Sequence, residues 1–266
     1  MSRPIIALTT DFGQADGYVG IMKGVILGIC PEAALIDITH DIRPHAVRQA
    51  AYILSTVAPY FPPGTVHLVV VDPGVGSERR PIVVQTDRAT YVAPDNGVLS
   101  LVLQQEPVRL AISLHPMEPW FHPPHISATF HGRDIFAPAA AHLSCGVDPY
   151  TLGLPLSPAD LVALPSIQPQ LSTEGVWQGE ILHVDRFGNL ITNFRLMSSD
   201  FQSPVSIRVG KEQIERISRT YADVEPGELL AYLGSSGYLE IAVREGNAAV
   251  RLGVTVGDPV CIEGLP

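Results

Sequence analysis

Four short motifs place carboxylate, guanidinium and imidazole groups in loops, where chemistry is usually done: TTDFG (9–13), VDPGVGSERR (71–80), APDNG (93–97) and FHGRD (130–134). Asp11 has two readings, a turn or helix-capping aspartate and an acceptor for paired ligand hydroxyls. Asp16 is the better-placed cap for the helix that follows. The 72–80 loop lacks the GxxxxGK[ST] or GxGxxG pattern of a phosphate cradle. A reversal of that loop would bring Arg79 back over Asp72, keeping the carboxylate ionised well below neutral pH and making it a weak base unless its site is strongly apolar. His131, beside Gly132, Arg133 and Asp134, suits acid–base or hydrogen-bonding work, although a lone histidine is as readily structural. Asp11, Asp72, Asp95, His131 and Asp134 are chemically able to hold a cation. The HxxH at 122–125 is broken by Pro123 and Pro124, which prevents a helix from presenting both imidazoles on one face, and no metal site is expected.

Two further motifs lie later in the chain. In DRFGNLITN (185–193) the Gly-Asn pair is turn chemistry, while Asn189 has the paired donor and acceptor needed to read a base edge, with Phe187 as an apolar wall. GSSG (234–237) is a turn or an anion-binding backbone loop.

These groups need elements to hold them. Compact apolar runs at 4–9, 34–38, 66–71, 82–86 and 91–93 predict strands, and helical spacing predicts helices over 17–30, 47–60, 97–105 and 134–144. Strands apolar on both faces and separated by helices predict an α/β domain with a mainly parallel sheet over residues 1–160. The first four motifs then follow strands or precede a helix, where open α/β sheets bind ligands. Proline recurs through 155–169, and 161–176 is expected to be a linker. Short strands with turn punctuation beyond it predict a smaller all-β, barrel-like domain over 177–266.

Composition narrows the function classes. Hydrophobic residues are 46% and charged residues 17% of 266, enough for a sizeable core. The net charge of −10, with no basic stripe, argues against nucleic-acid binding. Three scattered cysteines without a CxxC pair fit a reducing compartment. The opening MSRPIIALTTDFG reads as a buried strand rather than a secretion signal, and no apolar run approaches the roughly 20 residues that cross a bilayer. A cytoplasmic protein without membrane partners is expected.

Taken together with DITHDIRP (37–44), the stretch Phe130–Ala141 and GSSGYLEIAVREGNAA (234–249), the motifs resemble the S-adenosylmethionine hydroxide adenosyltransferases, relatives of the adenosyl-halide synthases. The resemblance spans residues 9 to about 249 in order. It implies hydrolysis of S-adenosylmethionine to adenosine and methionine without cofactor or metal, in a homotrimer whose sites lie between one chain's N-terminal domain and its neighbour's C-terminal domain. It implies Asp72, Arg79 and His131 as the catalytic triad. Because a carboxylate paired with Arg79 is a weak base, Arg79 and His131 are expected to clamp the water, with Asp72 orienting the clamp and accepting a hydrogen bond from the water. Asp11 would hold the ribose hydroxyls, Asp185 the methionine ammonium and Ser235 its carboxylate. Asn189 and the backbone at Asn247 and Ala248 would read adenine, with Phe187 and Tyr221 packed against it. His45 stands where the fluorinase pattern has tryptophan, and Ser236 where the halogenase pattern has arginine. The halide-using relatives lack the triad, so water is the expected nucleophile. The alternatives are a chlorinase-like synthase, a binding protein for adenosine or S-adenosylmethionine, and a metal-dependent hydrolase.

Overall fold

The computed structural model describes residues 3–115, 125–165, 168–197 and 204–265. The chain divides into two compact units, Met1–Leu164 and Pro165–Pro266.

The first unit is built on a seven-stranded sheet. Its elements in order are β1 (Ile5–Thr10), α1 (Tyr18–Ile29), β2 (Ala34–Thr39), α2 (Val47–Val57), β3 (Thr65–Val70), β4 (Pro81–Gln85), β5 (Ala89–Pro94), α3 (Ser100–Leu103), β6 (Leu110–Leu114), α4 (Ala137–Ser144) and β7 (Gly153–Pro155). The apolar run of β3 is buried along its whole length because both faces of the sheet are covered. Side chains alternate across a strand, so Leu68 and Val70 pack with Met22, Ile26 and Phe136, while Val69 and Val71 pack with Leu54, Tyr91 and Val98. α1 starts at Gly17 without a side-chain cap, so Asp16 does not cap it. Of the helix expected over 97–105, Ser100–Leu103 is α-helical.

The sheet is mixed, not mainly parallel. In the order β2-β1-β3-β5-β4-β6-β7, the pairs among β2, β1, β3 and β5 are parallel and those involving β4, β6 and β7 are antiparallel. For β4, chain length is the reason. Only Thr86, Asp87 and Arg88 join β4 to β5, enough for a hairpin, whereas a parallel crossover needs about a dozen residues or more. β6 and β7 lie in stretches the periodicity did not mark as strands.

The second unit is all-β apart from the single short helix α5 (Ala248–Leu252) and one 3-10 turn among its described residues. Its strands are β8 (Gln170–Leu171), β9 (Trp177–Val184), β10 (Leu190–Arg195), β11 (Ser206–Val209), β12 (Glu212–Ile214), β13 (Ile217–Ser218), β14 (Leu229–Leu233), β15 (Tyr238–Val243) and β16 (Pro259–Glu263). They pair in the order β12-β11-β16-β9-β10-β15-β14-β13, with β8 on β9, and β12 approaches β14 so that the sheet nearly closes into a barrel. Ile181, Phe194, Ile207, Leu239 and Val260 fill its interior.

Candidate active site

In the first unit the loops at 72–80 and 125–131 converge. The 72–80 loop leaves β3 and reverses through Gly76, whose φ of +77° favours glycine. A side chain at position 76 would also strike the carbonyl of Ala128, so the loop lies flat against the segment leading to His131. A π-helical turn over Gly132–Phe136 then follows His131 directly. A Cβ at Gly132 would stand 3.2–3.4 Å from Met22, Phe130 and Phe12, a fit tight enough to make those side chains shift. Phe12 and Phe130 meet edge to face at 5.9 Å, which joins the TTDFG loop to the same cluster.

Asp72, Arg79 and His131 are brought together. Arg79 donates from Nε to Asp72 Oδ1 at 3.1 Å and from Nη2 to Asp72 Oδ2, a forked ion pair. The two side chains are 5% and 7% exposed. Nη2 also donates to His131 Nδ1 at 3.1 Å. A guanidinium has no acceptor, so Nδ1 must carry its lone pair and the neutral ring bears its proton on Nε2. The remaining Arg79 nitrogen, Nη1, is buried without a partner among the described residues. The guanidinium lies over the Phe136 ring, 5.2 Å from its centroid.

Burial pushes the Asp72 carboxyl above its ordinary value, against the pull of Arg79 and His131. The expectation that Arg79 would hold this carboxyl below its ordinary value is therefore corrected: loss of hydration outweighs the ion pair. Burial, with the Arg79 charge beside it, lowers His131, while Asp72 and Asp134 pull it the other way. Its neutral form agrees with the hydrogen bond it accepts.

The other titratable residues named from the sequence are engaged separately. Asp11, just past β1, accepts from the His45 backbone N–H at 2.9 Å. Asp95 accepts from Arg80 Nε at 2.9 Å and from the Val162 N–H at 2.8 Å. Asp134 is paired with Arg133 and accepts from the Ser127 N–H at 2.7 Å. Among the described residues no three His, Cys, Asp or Glu side chains are grouped to hold a metal ion. His122 of the HxxH pair lies outside the described residues.

The second unit carries its own cleft, of about 820 Å³, lined by Phe187, Asn189, Tyr221 and Asn247 among others. Asp185 follows the β9 strand and organises the turn into β10: Oδ1 accepts the N–H groups of Phe187 and Asn189 at 2.9 and 2.8 Å, and Oδ2 accepts from Asn189 Nδ2 at 2.9 Å. Gly188, at φ +85°, brings its backbone against the Asn247 amide, where any side chain would collide. Asn247 in turn caps α5 by accepting the Val250 N–H at 2.8 Å. This leaves Phe187 74% and Tyr221 40% exposed as two aromatic walls. Ala248 is fully buried in the core of the barrel, and Ser235 sits in the β14–β15 turn rather than on the cleft lining.

Sequence reasoning missed three participants. Phe136 stacks on Arg79 but reads as a core residue of a helix. Tyr232 and Glu240 lie beneath the cleft, Tyr221 Oη meeting Tyr232 Oη at 2.5 Å and Tyr232 donating to Glu240. They sit directly opposite in the β14–β15 ladder, so the signal was strand register, which composition does not carry.

Residues 6–153 match the SAM hydroxide adenosyltransferase N-terminal domain and residues 179–261 the corresponding C-terminal domain. An (R)-S-adenosyl-L-methionine hydrolase of Thermus thermophilus is 42% identical over 97% of this chain and 98% of its own. A crystal structure of a conserved protein from Thermotoga maritima superposes with a TM-score of 0.87 at 41% identity, covering 97% of this chain and 99% of the other. A fluorinase of Actinopolyspora mzabensis is 28% identical over 91% of each chain.

Proposed function

The chain belongs to the SAM hydroxide adenosyltransferase family, and we propose that it hydrolyses S-adenosyl-L-methionine to adenosine and L-methionine. The names of its hydrolase relatives specify the (R) configuration at sulfur, and we extend that epimer to this chain. The observation that carries the reading is the Asp72–Arg79–His131 cluster, with one buried guanidinium nitrogen still unpartnered.

The chemistry fits those groups. The sulfonium is already activated, since methionine departs as a neutral thioether and needs no general acid. What remains is in-line attack by water at the ribose C5′, where positioning alone supplies roughly 7–11 kcal/mol in favourable cases. Arg79 Nη1 and the Nε2–H of His131 are the free donors of the cluster, and they hold the oxygen and stabilise it as hydroxide. His131 does not act as the base, because its lone pair faces Arg79. The proton released from water passes to Asp72, whose burial makes it a better acceptor than an exposed aspartate. Asp72 therefore both orients the clamp and takes its proton. With a neutral leaving group and a guanidinium at the nucleophile, the reaction needs neither metal nor cofactor.

The remaining roles follow the family pattern. Asp11 holds the ribose hydroxyls, Asp185 the ammonium and Ser235 the carboxylate of the methionine part. Asn189 with the backbone of Asn247 and Ala248 reads adenine, between Phe187 and Tyr221. We assign residues 1–160 and 177–266 to the two domains, joined by 161–176. The chain works as a cytoplasmic homotrimer, each site completed by the first domain of one chain and the second of its neighbour.

Incubation with both sulfur epimers in 18O-water and chloride tests this. Adenosine carrying the label at O5′ is the expected product, from the (R) epimer in preference. Accumulation of 5′-chloroadenosine, or tight binding of a substrate that stays intact, would refute hydrolysis.

A further inference from the structure

Asn189 is 5% exposed and has both protons of its side-chain nitrogen committed, one to Asp185 Oδ2 at 2.9 Å and one to Tyr221 Oη at 3.3 Å. The commitment is directional. A Glu240 carboxylate only accepts, so Tyr232 must point its proton at Glu240. Burial and that carboxylate push the Tyr232 hydroxyl above its ordinary range, which keeps it a donor. Its oxygen then has only lone pairs to offer, and the Tyr221 hydroxyl points its own proton inward at 2.5 Å. Tyr221 thereby faces Asn189 as an acceptor. Asp185, already receiving two backbone N–H groups, fixes the other amide proton in the same sense. The one group left for Asn189 to present in the cleft is its carbonyl oxygen.

We infer that Glu240, acting through Tyr232 and Tyr221, is a positioning residue that makes the Asn189 cleft selective for a purine with an exocyclic amine over one with an oxo group. The inference rests on reading that cleft as the base subsite. A fixed carbonyl acceptor pairs with the amine of adenine and faces the carbonyl of hypoxanthine lone pair to lone pair, leaving both unsatisfied. A mobile amide would flip and accept either base. Glu240 touches neither base nor sulfonium in this account; it sets the order of protons.

The test measures the dissociation constants of adenosine and inosine for the full-length protein and for Glu240→Gln and Tyr232→Phe. The native protein is expected to favour adenosine by about tenfold or more. In Glu240→Gln the new amide N–H donates to Tyr232 and permits the reversed chain, leaving Asp185 alone to hold the Asn189 amide, so the ratio falls, chiefly through tighter inosine binding. Tyr232→Phe breaks the chain while keeping the ring, and lowers the ratio in the same direction. A native protein without preference, an unchanged ratio in both variants, or equal weakening of both nucleosides overturns the inference. Release of adenosine from S-adenosylmethionine by the native protein is scored separately, so failure of the hydrolase reading is distinguishable from failure of this one.

Discussion

Arg79→Lys is the substitution that weighs most on the proposed mechanism. It preserves the charge beside Asp72 but removes the fork. Arg79 serves Asp72 from Nε and Nη2, His131 from Nη2, and leaves Nη1 for the nucleophile. A lysine ammonium has three donors radiating from one atom, and cannot reach both carboxylate oxygens and the imidazole while also meeting the attacking oxygen. The expected loss is that of a preorganised donor aimed at developing negative charge, about 100- to 1,000-fold in kcat, or about 2.7–4 kcal/mol. KM should change little, because the contacts to nucleoside and amino acid are made by other residues. Adenosine formation followed by chromatography from pH 5 to 9 reads both constants, with near-ultraviolet circular dichroism confirming the fold. A kcat within threefold of the native value across that range would refute the clamp. A deficit confined to the acidic end would instead show that Arg79 acts only by adjusting Asp72.

His67 offers a stability test, since its ring is fully buried, stacked 5.3 Å from Tyr91, and held down to a pKa of about 4 by loss of hydration. A lowered histidine pKa contributes stability that is complete above about pH 6.5 and is lost as pH falls toward 4; the shift corresponds to about 3 kcal/mol. His67→Phe should flatten the dependence of Tm on pH across that window, and an unaltered slope would contradict the assignment. Gly188→Ala forces a side chain into a left-handed conformation and into the Asn247 amide. It should cost about 1–3 kcal/mol in urea unfolding and weaken adenosine binding, whereas native affinity would show that the turn does not shape the cleft. Exhaustive chelation should leave turnover intact. Activity lost with chelator and restored by a divalent cation would establish a metal requirement.

The parts of this fold legible in the sequence are those governed by local pattern. The uninterrupted VHLVVV run marked β3 to within a residue, and the spacing in 47–60 marked α2, which gives way to a 3-10 turn after Val57, because burial on two faces or one stripe imposes its period directly. β10 lay hidden in DRFGNLITN, where turn residues at one end masked the strand that follows. β7 is a Gly-Leu-Pro strip held by pairing to β6, with no pattern of its own. The sites divide the same way. Asp72 and His131 stand out as polar groups at element ends, but the Nδ1 tautomer, the orphan Nη1 and the Tyr232–Glu240 link are properties of distance and register. The sign of the Asp72 shift was misjudged for the same reason: the arginine partner is visible in sequence, and the depth of burial is not.

The antiparallel direction of β4 is also what assembles the site. Had β4 run parallel to β5, a crossover would have carried Arg79 and Arg80 to the opposite edge, among the strand N-termini. Because β4 is antiparallel, it begins where β3 and β5 end, with Pro81 paired to Pro94. Arg80 consequently meets Asp95, and Arg79 returns over Asp72, seven residues back along the chain. The usual rule puts ligands at the carboxyl ends of parallel strands. Here one reversed strand adds two arginines to that carboxylate-bearing edge. Neutralisation of the edge and the supply of donors for an attacking oxygen thus have a single topological cause, the hairpin closed by Thr86, Asp87 and Arg88. Lengthening that hairpin should leave the Asp72–Arg79 fork in place, since β4's register is fixed independently by β6, whereas a change in the 72–80 loop length should break it.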